Sequence, residues 1–400
     1  MRIAYITADH GVPVFGRKGA SIHVQEMVHA YVALGHTVTV FTGRKGGSEE
    51  GFEADLVKVK PSVPDPDDAI DAQPRAKLIA KETRSIEIGE LVENALIEEH
   101  SSTPFDFIYE RYSLWSAAGV RAAARLGIPC FMEVNAPLLL EQEKYRDLIQ
   151  TEQAAELEAE VFGKAHAIAA VSEQVRDYAI EKGAAAERCH VVPNGVDTAR
   201  FHPDVAPVTG LGIPDDAFVV GFVGSLKAWH GLEPLLDGFR ELPAEDGYHL
   251  LIVGEGPLRT WVEGYVRGAR LDGRVTVSGW VDYVDIPSYV RRFDVAAAPY
   301  HAIDDFYFSP LKLFEYLAIG RPVVASAIGQ LCDVIEHGRT GLLATPDDPA
   351  DFAAKVAEFH RDVALRERIS QAAAIEGARR TWMHNAQKMI ELATEHVAAA

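Results

Sequence analysis

Short apolar runs alternate with stretches of helical spacing along most of this chain. Arg2 to Thr7 reads as a buried strand, and residues 8–20 as a loop carrying Gly11, Gly16 and Gly19. Ser21 to Leu34 places apolar side chains three and four apart, the period of an amphipathic helix, and Gly35 supplies its stop. Thr37 to Thr42 is a second strand. Strand, loop, helix and strand in that order open a doubly wound parallel sheet. Residues 43–75 are rich in Gly, Pro and Asp and predict mostly loop, while residues 76–100 predict a helix. Further strands are predicted at Phe107 to Tyr109, Cys130 to Val134, Ala167 to Val171 and at Val191 and Val192. Between them the pattern predicts helices near 113–126, from Pro137 to Phe162, and after Ser172, a good N-cap residue.

Residues 193–215 break the pattern. Pro193, Asn194, Gly195, Pro203, Pro207 and Pro214 crowd into them, and the segment reads as a hinge between two domains. A second alternating series follows, with strands at Phe218 to Val223, His249 to Val253, Val275 to Ser278 and Val295 to Ala298, and helices at 232–240, 257–268 and near 285–292. In the run from Phe306 to Ser326, Ser309 fits a helix N-cap and Pro310 the first helical position. Leu311 to Ile319 has helical spacing, Gly320 stops it, and Val323 to Ala325 is a short buried strand. Gly341 to Leu343, helices from Pro349 onward, and a final helix at about 380–398 complete the series. Trp382, Met389, Ile390 and Leu392 give that last helix an apolar face. The two halves share an α/β architecture without a sequence repeat.

Four hundred residues exceed one ordinary core, which agrees with two domains. An apolar fraction of 48% and a charged fraction of 24% are those of a soluble globular protein. The formal charge of −20 argues against a nucleic-acid partner or a broad anionic-membrane surface, while leaving room for a local basic pocket. Cys130, Cys189 and Cys332 form a sparse, odd set unlike a metal site and suited to a reducing compartment. The apolar run before Asp9 and His10 is too short for a signal peptide, and no stretch reaches the length of a membrane span. A soluble cytoplasmic protein is the expectation.

The candidate chemistry sits where strands run into loops. A helix starting abruptly after Ser309 turns its unbonded N–H groups outward, and Lys312 stands beside them, a good setting for phosphate. Glu315, one turn on, is placed for the hydroxyls of a ribose or sugar; the plain alternative is a solvated pair with Lys312 on one helix face. Gly224 to Gly231 follows a strand and opens a helix, so its amides and Lys227 could meet a diphosphate, or Lys227 could simply be solvated. Gly254-Glu255-Gly256-Pro257 reads as a tight structural turn. Glu133 and Asn135 project beyond a strand end where such sheets bind ligands; an Asx turn before Pro137 is the competing reading. Gly16 and Gly19 would let backbone approach a ligand, or serve a flexible loop equally well.

Val192 to Asp197 (VPNGVD), Gly224 to Gly231, Leu251 to Leu258 and Phe314 to Ala325, in this order, resemble the family 4 glycosyltransferases over nearly the whole chain. The resemblance implies a GT-B fold: two Rossmann-like doubly wound domains facing across a cleft. The acceptor domain would be 1–192 with a returning C-terminal helix, 378–400, and the donor domain 193–377. It also implies retention of anomeric configuration, no bound metal and no cofactor other than the co-substrate, a nucleoside diphosphate sugar, with a UDP- or GDP-sugar expected. The family pairs two glutamates eight residues apart. Glu315 matches the second, which binds ribose; the first falls on Tyr307, with Asp304 or Asp305 available in its place. The family's phosphate-loop arginine falls on Ser225 and its lysine on His230, leaving Lys227 and Lys312 to restore the charge. The histidine of the N-terminal domain falls at or near Glu133.

Lys227, Lys312 and Glu133 are therefore the expected catalytic residues. Gly16, Gly19, Asn135, Ser225, His230, Tyr307, Ser309, Pro310, Leu311 and Glu315 are expected at the substrates. The implied reaction moves a glycosyl group to an acceptor hydroxyl, on a small soluble acceptor rather than a lipid given the acidic surface. A sugar-nucleotide epimerase or hydrolase of the same fold, and a non-catalytic nucleotide-sugar-binding subunit, stand as alternatives.

Overall fold

Strands buried on both faces carry apolar side chains on both, which is why the strands of this chain read as unbroken hydrophobic runs. The computed structural model describes residues 1–65, 73–303 and 305–399. Asp304, one of the two carboxylates offered in place of the missing glutamate, lies outside the described residues; Asp305 is exposed. The chain divides into two units. Unit 1 is Met1–Pro193, Tyr307–Ser309 and Trp382–Ala400; unit 2 is Asn194–Phe306 and Pro310–Thr381.

Unit 1 runs β1 (Arg2–Thr7), α1 (Gly19–Ala33), β2 (Thr37–Thr42), β3 (Asp55–Lys58), α2 (Pro74–Ser102), β4 (Phe107–Arg111), α3 (Ala118–Leu126), β5 (Cys130–Val134), α4 (Leu138–Tyr145), α5 (Thr151–Lys164), β6 (Ala167–Ala170), α6 (Glu173–Glu181) and β7 (Cys189–Val191). Its sheet has the order β3-β2-β1-β4-β5-β6-β7, with every pairing parallel. Tyr5 at its centre lies opposite Val40 on one side and Tyr109 on the other. Ile88, Val92 and Leu96, spaced four apart on α2, are completely buried against it, each stabilising the unit by roughly 1.5–3 kcal/mol.

Three features depart from the sequence pattern. The loop expected over 43–75 contains β3, an edge strand paired to β2. The helix expected from Pro137 to Phe162 is two helices, because the buried carboxylate of Glu82 accepts the N–H groups of Ile149 (2.9 Å) and Gln150 (3.1 Å) and so caps α5 from α2. Finally, α3 begins at Ala118 rather than near 113. The Glu110 carboxyl at the end of β4 accepts from the Ser116 hydroxyl and the Gly119 N–H, both at 2.8 Å, and holds the intervening turn. Burial pushes Glu110 up to about 7.

Unit 2 runs β8 (Phe218–Val223), α7 (Leu232–Arg240), β9 (Tyr248–Val253), α8 (Arg259–Gly268), β10 (Val275–Val277), α9 (Ile286–Arg291), β11 (Val295–Ala298), α10 (Leu311–Ala318), β12 (Val323–Ser326), α11 (Gln330–Val334), β13 (Gly341–Ala344), α12 (Pro349–Arg361) and α13 (Val363–Gly377). Its parallel sheet has the order β10-β9-β8-β11-β12-β13. On central β8, a side chain at Gly221 would meet the Phe293 ring at 2.0 Å, so only glycine fits. Most of 193–215 is fastened to this unit. Val196 N–H donates to the Arg380 carbonyl and Val208 N–H to the Ser288 carbonyl, each at 2.9 Å.

The last helix, α14 (Trp382–Ala399), belongs to unit 1. Trp382 packs against His23 of α1, and the Asn385 amide donates to the Pro193 carbonyl at 2.7 Å. In each sheet the strand order reverses beside the first strand, between β1 and β4 and between β8 and β11. The loops beyond the carboxyl ends of such strands are where doubly wound sheets bind ligands.

Candidate active site

In unit 2 the loop after β8 begins at Gly224, whose φ of 153° suits glycine. A side chain there would lie 2.8 Å from Lys312 Nζ and 3.3 Å from His230 Nδ1. The loop is gripped on both flanks. Leu226 N–H donates to the Glu255 carbonyl and Leu258 N–H to the Leu226 carbonyl, each at 3.0 Å. The expected turn at Gly254 to Pro257 serves this packing, since side chains at Gly254 and Gly256 would strike the backbone of Gly224 and Leu226. On the other flank Gly231, with φ 69°, presses on the Pro299 carbonyl so closely that a Cβ would sit 1.4 Å from its oxygen.

His230 Nδ1 is 2.6 Å from the carbonyl oxygen of exposed Ser225. A carbonyl can only accept, so Nδ1 carries the ring proton. Burial, then the Lys312 and Lys227 charges, hold His230 down to about 3, against the pull of that hydrogen bond. A neutral imidazole does not supply the charge of the family's lysine; His230 shapes the loop. Half-buried Lys227 follows, with Nζ 4.5 Å from the centre of the Trp229 ring.

Helix α10 brings the second cation. It starts at Leu311, with extended Pro310 (φ −72°, ψ 117°) as N-cap and no side chain capping it. The expectation of Ser309 as N-cap and Pro310 as first helical residue is thus corrected by one position. The ψ of Pro310 keeps it outside the helix, Ser309 groups with unit 1, and Pro310 has no N–H to offer. Leu311 and Lys312 supply the leading N–H groups, while Leu313 N–H turns back to the Pro310 carbonyl at 3.0 Å. The Tyr316 hydroxyl accepts the Val223 N–H at 2.7 Å and ties α10 to the end of β8.

Lys312 is only 8% exposed. Its Nζ lies 3.9 Å from the Phe222 ring centre and 5.6 Å from that of Tyr300, with no hydrogen-bond partner among the described residues. Burial lowers its pKa to about 7, opposed by the charge of Glu315 one turn on. Glu315 is itself 6% exposed, so the two do not form a solvated surface pair. Lys227, His230, Lys312 and Glu315 therefore gather around one loop and one helix start at the point where the strand order of unit 2 reverses.

In unit 1 the corresponding edge is organised around Glu133. One carboxylate oxygen takes His23 Nε2 at 2.9 Å and Arg111 Nη1 at 2.8 Å, and the Asn135 amide donates to the same oxygen; the other takes the Tyr109 hydroxyl at 2.6 Å. His23 and Arg111 hold the buried carboxyl well below the usual range, against burial that raises it. Glu133 thus accepts from four side chains of unit 1, the Asn135 amide among them. The partners His23 and Arg111 were missed. Their signal is positional: His23 lies in the second turn of the first helix and Arg111 ends the strand beside Glu133.

Other expected residues go elsewhere. Tyr307 packs into the core of unit 1, its hydroxyl donates to Glu141, and its carbonyl accepts the Ser172 hydroxyl at 3.0 Å. It is a packing residue of unit 1, not a substitute for a sugar-binding carboxylate. Gly16 is a glycine because a side chain would lie 2.2 Å from Ser21 Oγ, and its carbonyl is held by Gln25 Nε2 at 3.1 Å. Gly19 begins α1, after Lys18 as N-cap.

Comparison with known proteins adds to this geometry. The family described as Glycosyl transferase 4-like domain matches residues 18–195, and that described as Glycosyl transferases group 1 matches residues 217–362. The D-inositol 3-phosphate glycosyltransferase of Pseudarthrobacter chlorophenolicus is 26% identical over 394 residues, covering 93% of this chain and 89% of its own. Among solved structures, sucrose-phosphate synthase of Thermosynechococcus elongatus superposes with a TM-score of 0.76 at 22% identity over 100% of both chains. HepE of Anabaena, solved with UDP and glucose, gives 0.73 at 18% identity over 99% of this chain and 100% of its own. The fold is GT-B. The chain is a glycosyltransferase rather than an epimerase, a hydrolase or a non-catalytic binder, and it belongs to the family 4-like glycosyltransferases.

Proposed function

We propose that unit 2 holds the diphosphate and ribose of a nucleoside diphosphate sugar, and that the chain transfers its glycosyl group to an acceptor hydroxyl without a metal ion. The observation that carries this reading is Lys312. Its ammonium sits at the head of α10, buried between two aromatic rings and lacking a hydrogen-bond partner among the described residues. A buried cation of this kind is stabilised by an anion. The helix N–H groups beside it favour the same charge. Negative charge grows on the leaving diphosphate as the glycosidic bond breaks. Lys312, Lys227 and the α10 amides stabilise it, and removing one such donor typically slows turnover about a hundredfold or more. Buried Glu315 is the acceptor for ribose hydroxyls.

The solved relative carrying UDP favours a uridine donor, with a GDP-sugar as the second choice. Retention of configuration follows the family resemblance. A soluble acceptor suits the charge of −20, and a reducing, cytoplasmic setting suits three unpaired cysteines. Among the described residues no helix is long and apolar enough to cross a membrane.

Thermal unfolding with UDP-, GDP-, ADP- and TDP-sugars tests the donor. A ligand at a hundred times its Kd stabilises by about 2.7 kcal/mol, a shift of several degrees in Tm for domains of this size. The Lys227→Ala, Lys312→Ala double variant should lose that shift and nearly all turnover. Retained activity in it would refute the leaving-group account, and product NMR reports the anomeric configuration.

A further inference from the structure

His301 and Asp347 form a pair that the donor groups described above leave unused. His301 Nδ1 lies 2.6 Å from Asp347 Oδ1, and Asp347 Oδ2 accepts the Ala302 N–H at 2.8 Å. His301 follows β11 and Asp347 follows β13, so both stand on the carboxyl edge of the unit 2 sheet. That edge also carries the Gly224 loop and the start of α10. The residues just before His301 touch both: Gly231 abuts the Pro299 carbonyl, and the Tyr300 ring centre is 5.6 Å from Lys312 Nζ. The Ser326 hydroxyl pins the Tyr300 carbonyl at 2.7 Å.

Asp347 occupies a costly backbone position. The Thr345 carbonyl accepts the Asp348 N–H at 3.3 Å, Pro346 is second in this turn, and Asp347 is third with φ 56°. That is the glycine position of a type II turn. Only Arg270 shares a positive φ among the described non-glycine residues. What the carboxylate gains over glycine is its hold on the His301 ring and the Ala302 N–H. A ring held through Nδ1 has one hydrogen-bonding atom left, Nε2, and the side chain is 37% exposed. The position that the family resemblance gives to its first glutamate is Tyr307 here, and that phenol donates to Glu141.

We propose that His301, oriented by Asp347, hydrogen-bonds a hydroxyl of the donor's glycosyl group and is a specificity residue for it; the proposal rests on the donor reading above. His301 touches the sugar, and Asp347 is a positioning residue.

Calorimetric titration of the full chain with UDP, GDP, UDP-glucose, UDP-galactose, UDP-N-acetylglucosamine and GDP-mannose tests it. His301→Ala should weaken the best-bound sugar nucleotide roughly fivefold to tenfold, the worth of one hydrogen bond, and leave its parent nucleoside diphosphate within about twofold. Asp347→Gly keeps the turn and removes the carboxylate, and should weaken the same sugar nucleotide selectively. Equal weakening of the sugar-free nucleotide would mean a role in loop folding and would overturn the proposal, as would unchanged binding of both. If the unaltered chain bound none of the six ligands, the donor reading itself would fall and take this proposal with it, a result distinct from any seen only in the variants.

Discussion

The ammonium of Lys312 lies 3.9 Å from the centre of the Phe222 ring, one residue before β8 ends. The aromatic face offsets part of the cost of removing this cation from water, typically about 2 kcal/mol when desolvated. It does not offset all of it, as the drop in pKa from 10.5 to about 7 shows.

That residual cost sets a stability prediction. The unfolded chain binds the Lys312 proton below about pH 10.5, and the folded chain only below about 7, so stability rises with pH across this window and the full penalty holds beneath it. Lys312→Met should stabilise the ligand-free protein by on the order of 4–5 kcal/mol at pH 6.5. The gain should shrink towards pH 10. Urea unfolding at the two pH values checks both the sign and the window.

Donor binding should be linked to proton uptake at the same amine. A diphosphate beside Nζ favours the ammonium, so above pH 7 affinity should fall by up to about tenfold per pH unit. At pH 8 the binding enthalpy should differ between buffers of different ionisation enthalpy. Equal heats in phosphate and Tris would contradict the assignment, and Lys312→Met should abolish the linkage.

Glu315→Ala should weaken nucleoside diphosphate binding at least tenfold, since hydrogen bonds to a buried carboxylate are each worth roughly 1.5–3 kcal/mol. Glu315 also holds the Lys312 pKa up. The variant's affinity should therefore begin to fall at a lower pH than that of the unaltered chain. Titration calorimetry across pH 6–9 reads both effects, and undiminished UDP and GDP affinity would rule out the ribose role.

In unit 1, Glu133→Ala should act on stability. It strands Arg111 and His23 without their carboxylate, and breaking a buried pair in this way costs about 3–5 kcal/mol. The depressed pKa of Glu133 means its contribution is present above the unfolded value of about 4.5 and is lost as pH falls through the folded one. A large loss of transfer activity with unchanged urea unfolding would instead point to a catalytic role.

Both sheets were legible in the sequence because buried strands and amphipathic helices repeat over short windows. The neighbourhood of Gly224 to Gly231 with Lys312 and Glu315 was legible for a related reason: doubly wound topology brings the loops after β8 and β11 side by side. The illegible parts depend on partners distant in sequence. The acceptor that divides α4 from α5 is Glu82, 67 residues before Ile149. Tyr307 could be recognised as a departure from the family, but its place in the core of unit 1 is set by Glu141 and Ser172, more than a hundred residues earlier. Glu133 announced itself as a polar residue at a strand end, while the histidine and arginine that contact it lie on other elements.

Helix α14 carries an implication for biogenesis. Met1–Pro193 has its α1 face covered by Trp382 and its β7 edge held through Asn385 and Lys388, all synthesised after every residue of unit 2. On the ribosome the surface of unit 1 that α14 covers therefore stays bare until all of unit 2 has been made.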